Sequence, residues 1–590
     1  MHQRSTNKPK FLQQSRALPV VALTLLLGAC GGGGKTAQNT VPVPKPSDSV
    51  TISGTVSYEF VPPNPVCRGL DFAGTIPRPI RGATVQLIDV GTGAVLAASQ
   101  SDESGDYTFA GIDANTIVRL RIRAELKKTT GDSRWHVEVR DNYDISASPP
   151  ALGSRPLYVV EGANFDTGSV GVAVQNMTAT TGWGGASYVG DRAAAPFSIL
   201  DTIYTAMTFI ESVDPNVIFP PLDAFWSVNN TSATSSDTDT GADTGELGGS
   251  FYSVGQDRLF LVGDAASDTE EFDDHVIVHE WGHYFEDNLS RADSFGGPHS
   301  IGNLLDPRLA FGEGWATALA GMALNDPLYC DTGPAGSTSG FGIGAESGSY
   351  DASGWYDEIS VLRFIYDMFD SNDEGGDSGS IGFAPIYAVM TGPQISTDAF
   401  TTIFSFAAEL RPTLDLAGQA LLDAQLARED MTAGFDIWGV GEANTAGGAP
   451  DVIPIYTDLT ADGSILPICV NSQFDSGRDG NKLTENRFLR ITIPLTDQYD
   501  VTMTTTTPTP VTPDVDDRDQ SDPDIYLFRG PQFIGQGTSP DDNTETFRTP
   551  ILEAGATYIA AVEDWRFDDE MAPSSYPERI CFEVSFASTP

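Results

Sequence analysis

The sequence predicts a multidomain chain in which a central mixed α/β domain sits between two β-rich domains. Three observations carry this. At 590 residues the chain exceeds what one hydrophobic core supports. Short alternating apolar runs, broken by Gly and Asp, fill the region from Val50 to about Leu126 and again from about Ile468 to Pro590. Between them the apolar spacing turns helical, as in Phe197, Leu200, Ile203, Met207 and Ile210. With 40% hydrophobic and 10% aromatic residues, the chain can fill such cores and is not a disordered polymer. No period of 20 to 50 residues recurs, which speaks against a solenoid or propeller.

The N-terminus reads as an export signal. Arg4, Lys8, Lys10 and Arg16 precede a short apolar run, Ala17 to Leu27, too short to span a bilayer comfortably. The run ends in Leu27-Gly28-Ala29-Cys30, which resembles the bacterial lipobox. That resemblance implies cleavage before Cys30 and lipidation of its thiol, so that Cys30 becomes a membrane anchor. Gly31 stands where a retention aspartate would hold the protein at the inner membrane, so the resemblance points to an outer-membrane lipoprotein, facing the periplasm or the exterior. Residues 1–29 are thus the signal. Residues 30–49, rich in Gly, Pro, Ser and Lys, form a flexible tether.

Residues 50–150 carry strand-like segments such as Thr51–Tyr58, Ala83–Asp89 and Asp106–Ala110, which suggest a small β-sandwich. The run from Gly82 to Ile112 is similar to the carboxypeptidase regulatory-like domain, which implies a non-catalytic spacer or binding role. Residues 151–460 form the mixed domain. It begins with a helical stretch at Ala193–Val213, followed by a strand at Leu222–Val228 and a polar loop from Asn229 to Gly249. Two further strands lie at Phe251–Val254 and Arg258–Val262, the second placed as an edge strand over a cleft would be, and a helix runs from about Asp273 to Ser290. Residues 465–590 are β-rich again. Asp522–Gly530, followed by Leu552–Glu563, resembles the pre-peptidase C-terminal domain, a β-sandwich. Asp514, Asp516, Asp517, Asp519, Asp522 and Asp524 crowd one loop there, either as a Ca2+ site or as a solvated acidic turn.

Four cysteines besides Cys30 allow three pairings. Cys469 and Cys581 bracket one β-domain, which favours a bridge between them. No Cys-x-x-Cys occurs, so a cysteine zinc site is not expected. The formal net charge of -48 would repel nucleic acid. It fits a solvated acidic surface, a salty medium or bound divalent cations.

The segment that carries chemistry is His279-Glu280-Trp281-Gly282-His283. On a helix, side chains four residues apart share a face, so both imidazoles can address one Zn2+ ion, with Glu280 one step round and within reach of a water. An open catalytic zinc site needs three protein ligands. Glu313, thirty positions after His283 in Ala310–Gly321, opens a second helix, whose Ala316, Ala318, Ala320 and Gly321 permit close packing.

The His279–His283 motif with Glu313 in Gly-Glu-Gly-Trp resembles the gluzincin zinc peptidases, above all the fungalysin group of the thermolysin-like fold. The resemblance implies a central zincin domain with His279, His283 and Glu313 as metal ligands and Glu280 as general base. Two positions depart from the family. Thr317 stands where an aspartate usually orients a histidine ligand, and a hydroxyl does this more weakly. No histidine follows His299 to stabilise an oxyanion, so Tyr356, with Arg363 second, is the candidate donor. His275 lies one turn before His279. Three ligands from consecutive turns of one straight helix do not converge easily on a tetrahedral ion, so His275 is expected to support the site from behind. The sequence therefore predicts a peptidase acting on protein or peptide substrates, most simply an endopeptidase. An exopeptidase and a non-catalytic envelope adhesion or binding lipoprotein are the alternatives.

Overall fold

Alternation of apolar residues builds the first sheet. In the strand Ser49–Phe60, Val50, Ile52, Val56, Tyr58 and Phe60 are buried, the period-2 pattern of a sheet with one covered face. This strand pairs antiparallel with Ile76–Pro79 and Asp106–Asp113, and parallel with Gly171–Val174 and Met177–Ala179. The structure is a computed structural model that describes residues 49–589 apart from 170, 235–237, 347–352, 373–378, 508–519, 541–542 and 570. The signal, Cys30, the tether up to residue 48, and Asp514, Asp516, Asp517 and Asp519 lie outside the described residues. Among the described residues, no helix is long and apolar enough to cross a membrane.

A second, nine-stranded sheet forms the floor of the site. Its antiparallel half holds Val95–Gln100, Ala83–Asp89, Ile117–Lys128 and Trp135–Arg140. Its other half continues from Trp135–Arg140 to Leu222–Trp226 and Arg258–Leu261 by parallel pairing, and closes with the short antiparallel strand Phe251–Ser253. Parallel neighbours need a crossover connection. Helix α1 (Ala195–Glu211) supplies the first and α2 (Thr238–Thr244) lies in the second.

Two sequence expectations change here. The boundary placed at residue 150 falls inside this sheet, because Val137 and Val139 are buried and their strand pairs with Leu222–Phe225. The edge strand beside the site is Phe251–Ser253, whereas Arg258–Leu261 is internal, paired on both sides.

Helices α3 (Asp274–Leu289), α4 (Pro307–Leu324) and α5 (Glu358–Phe369) follow. Asp306 caps α4 by accepting from the Arg308 N–H, and Pro307 occupies the first turn, where a missing N–H costs nothing. Asn325 ends α4 in the left-handed region at φ 52°. The small residues of α4 set its packing on both sides. A Cβ on Gly282 of α3 would sit 2.8 Å from Ala316 Cα, and one on Gly314 would sit 2.5 Å from Val361 Cβ of α5. The three helices therefore approach at near-backbone distance.

The C-terminal part is a β-sandwich with its own core, which includes Leu489, Ile491, Val501, Ile525, Val562, Phe582 and Val584. One sheet runs Tyr456–Thr460, Arg487–Thr492, Thr557–Asp564, Pro523–Arg529 and Gln532–Gly537. The other runs Leu466–Asn471, Arg579–Ser588, Tyr499–Thr505 and Thr544–Arg548. Tyr456–Thr460 pairs with Arg487–Thr492, so the sandwich begins before residue 460. Cys469 and Cys581 face each other on paired strands and are bridged, and Cys67 is joined to Cys330 across 263 residues.

Candidate metal centre

Helix α3 carries His279 and His283 on one face, four residues apart. Close packing at Gly282 and Ala316 brings α4 alongside, and Glu313, in its second turn, reaches over both rings. His279 Nε2 and His283 Nε2 lie 3.2 Å apart, and Glu313 Oε2 is 3.2 Å from the first and 3.4 Å from the second. The far nitrogen of His279, Nδ1, lies 2.9 Å from Thr317 Oγ1, one turn along α4 from Glu313. Burial raises the Glu313 pKa, but the charge of His283 and hydrogen bonds from His279, His283 and His299 more than offset this and hold the carboxyl well below its usual range.

Glu280 points to the edge strand. Its Oε2 accepts a 2.9 Å hydrogen bond from the Tyr252 N–H. Burial pushes its carboxyl above the usual range, against the pull of His279 and His283 and that hydrogen bond. Tyr252 is held in turn by its hydroxyl, which donates to Asp287 Oδ2 at 2.8 Å.

Other expected residues fall elsewhere. His275 does not join the triad; its Nε2 is 3.3 Å from the Asp326 carbonyl, just past the end of α4, and its ring packs on Tyr329. The Tyr356 hydroxyl donates to Asn444 Oδ1 at 3.0 Å and is thereby engaged outside the triad. This corrects its assignment as an oxyanion donor: it is a packed aromatic just before α5, 5% exposed. Arg363 sits near the charges of Asp357 and Glu429.

The structure instead adds His299 and Glu358. His299 Nε2 lies 3.4 Å from Glu313 Oε2 and 3.5 Å from Glu358 Oε2, and Nδ1 is 3.1 Å from the Gly297 carbonyl. Gly296 and Gly297 both adopt positive φ, which turns the loop so that His299 faces the cleft. The signal that pointed to it was rarity: the chain has six histidines, and this one lies between the motif and Glu313. Glu286, one turn beyond His283, is buried, and its carboxyl is pushed up to about 8, first by burial and against the pull of His283.

Comparison with known proteins places this site within a recognised sequence region. Residues 221–428 match the family profile of the Mycolysin C-terminal domain, a range that holds α3, α4 and α5 together with His279, Glu280, His283, His299, Glu313, Thr317 and Glu358. No curated protein matches the chain. Among solved structures, the pre-peptidase C-terminal domain of collagenase from Bacillus anthracis is similar, with 7% identity and a TM-score of 0.15, covering 22% of this chain and 93% of that one. That superposition is too loose to bear on the fold of this chain.

Proposed function

We propose that this chain is a zinc metallopeptidase, with His279, His283 and Glu313 holding the metal and Glu280 acting as general base in the hydrolysis of internal peptide bonds. The observation that carries the proposal is the donor triangle, with sides of 3.2, 3.2 and 3.4 Å. Zinc bonds of about 2.0–2.1 Å in a tetrahedron give donor separations of about 3.3 Å, and two imidazoles with one carboxylate are a known catalytic donor set. The relation of residues 221–428 to the mycolysin domain supports a place among secreted metallopeptidases.

Zinc, when bound, supplies Lewis acidity that polarises a peptide carbonyl and acidifies water. The chain's own residues do the rest. Thr317 accepts the Nδ1–H of His279, which fixes the ring in the tautomer that presents Nε2. Glu280, steadied by the Tyr252 N–H, takes a proton from the attacking water and passes it to the leaving amine. The strand Phe251–Ser253 is a sheet edge beside Glu280, able to pair with an extended substrate. His299, in place of Tyr356, supplies a donor at the Glu358 side of the triad.

The direct test measures zinc by mass spectrometry and casein cleavage by the purified protein. We expect one zinc per chain and cleavage that a zinc chelator abolishes. Stoichiometric zinc without any hydrolysis would instead favour a binding lipoprotein. Two substitutions grade the supporting residues. Thr317→Val is expected to weaken zinc roughly 10–100-fold with the fold intact; unchanged zinc affinity would remove Thr317 from the site. His299→Ala is expected to lower kcat about 100-fold at full zinc occupancy, and an unaltered kcat would rule out the donor role.

A further inference from the structure

A second donor triangle lies on the nine-stranded sheet. Side chains alternate along Trp135–Arg140: Trp135, Val137 and Val139 are buried in the core, and His136, Glu138 and Arg140 take the opposite face. On the neighbouring strand Ile117–Lys128, Glu125 stands directly across from Glu138. Like charges so placed destabilise a ladder unless something positive lies between them. His136 Nε2 is 3.4 Å from Glu125 Oε1 and 3.5 Å from Glu138 Oε1. One ligand atom from each of the three residues lies within 4.8 Å of the others.

The two carboxylates divide their oxygens. Arg123 Nε holds Glu125 Oε2 at 3.1 Å, and Arg140 Nη2 holds Glu138 Oε2. Arg140 is shared with Asp223, at 3.0 Å from its Nε. Lys127 Nζ stands 4.0 Å from Glu125 Oε1, and Arg123 Nη2 stands 3.9 Å from Glu138 Oε1, both too far to bond. The outer oxygens are thus clamped, and the inner ones face the ring nitrogen. That nitrogen is buried and makes no hydrogen bond, so neither inner oxygen lies along its axis. A hydrogen-bonded oxygen would lie on that axis. Ligands of one metal ion lie off it, because the ion itself takes the axis. A buried nitrogen left without a partner needs such an explanation. Burial raises the Glu125 pKa, but hydrogen bonds from Thr84 and Arg123 and the charge of Arg123 more than offset this and hold the carboxyl below its usual range.

We propose that Glu125, His136 and Glu138 bind a further divalent transition-metal ion of the zinc class, at a site that shares no residue with the histidine centre. Zinc bonds of about 2.0–2.2 Å to nitrogen and oxygen put tetrahedral ligands about 3.3–3.6 Å apart, and the two separations from His136 fall in that range. An imidazole among the donors favours such an ion over calcium or magnesium. A cleft of about 340 Å³, lined by Leu222, Asp223, Gln256 and Arg258, opens onto His136 and Glu138 and gives the ion a way in. The charges of Arg123, Arg140 and Lys127 weaken its hold, so this ion enters only when zinc is supplied beyond the need of the histidine centre. The group lies outside residues 221–428. The ion clamps Ile117–Lys128 to Trp135–Arg140, the strand from which the parallel half of the sheet is built.

The test counts metal rather than hydrolysis, so its result is independent of the peptidase assignment. The full-length protein and a His136→Ala variant are dialysed, then equilibrated with rising zinc chloride in an excess of calcium, which occupies plain carboxylate sites. At saturation the wild type is expected to hold one zinc per chain more than the variant, and the two should carry equal zinc before any is added. Equal zinc at saturation overturns the site: His136 is then an imidazolium paired with two glutamates, and any added zinc lies elsewhere. A deficit in the variant already present after dialysis overturns the weak, separate site as well, because the histidine centre would then depend on His136. If His136→Ala does not fold, His136→Gln, which keeps a polar side chain of similar reach without the ring nitrogen, is put through the same comparison, with the same outcomes deciding.

Discussion

Glu280→Gln is expected to cut kcat by roughly 10²–10⁴-fold, the usual contribution of a positioned general base, equivalent to about 3–5 kcal/mol of barrier. Glutamine keeps the size and an oxygen able to accept from the Tyr252 N–H, so the edge strand stays in place. What disappears is the proton acceptor. Zinc content should stay at one per chain, because Glu280 is not one of the three donors. Stability should not fall. Burial raises the folded pKa of Glu280 above its ordinary value, so the ionised carboxylate disfavours the fold at any pH above the unfolded pKa. The amide removes that penalty near neutrality. The check is casein hydrolysis beside zinc analysis and a melting curve; activity within tenfold of wild type would sink the assignment of Glu280 as base.

Glu313→Ala should empty the site. It removes one donor of three, a larger loss than the roughly 10–100-fold change produced by an outer partner such as Thr317. Dialysis followed by metal analysis is expected to find far less than stoichiometric zinc, and hydrolysis should fall to background. The zinc-free proteins should also differ from each other. In the parent, Glu313 is held well below its usual range by its histidine neighbours, so it stabilises the fold at any pH above the ordinary glutamate range. That contribution is lost as pH falls toward the lowered pKa, and the alanine variant lacks it throughout. A variant that retained full zinc would show that the third ligand lies elsewhere, with His299 the nearest alternative.

The parts of the site legible in the sequence were those set by spacing within one helix. His279 and His283 share a face because they are four residues apart, and Thr317 follows Glu313 by the same interval. The pairing of α3 with α4 was legible through composition, since Gly282 and Ala316 leave room for little else. What escaped depends on distant partners. The strand Phe251–Ser253 is three residues long, too short for its place at the sheet edge to be read without its partner Arg258–Leu261. His299 reaches Glu313 and Glu358 only because a glycine turn redirects its loop. The reach of the second sheet across residue 150 was hidden for the same reason: parallel pairing with Leu222–Trp226 leaves no local mark on Trp135–Arg140.

That continuous sheet bears on how the molecule can be inherited and divided. Segments that share a hydrogen-bonded ladder do not travel as separate modules. A chain begun at residue 151 would leave Leu222–Trp226 with a bare, hydrophobic flank where Trp135–Arg140 had been, an invitation to self-association. The strands before residue 150 are therefore not cargo attached to a separate helical unit. The C-terminal sandwich shares no ladder with that sheet, yet Phe488, Phe528 and Ile559 on its face are buried against the central helices, so it too would leave an apolar scar if it were cut away.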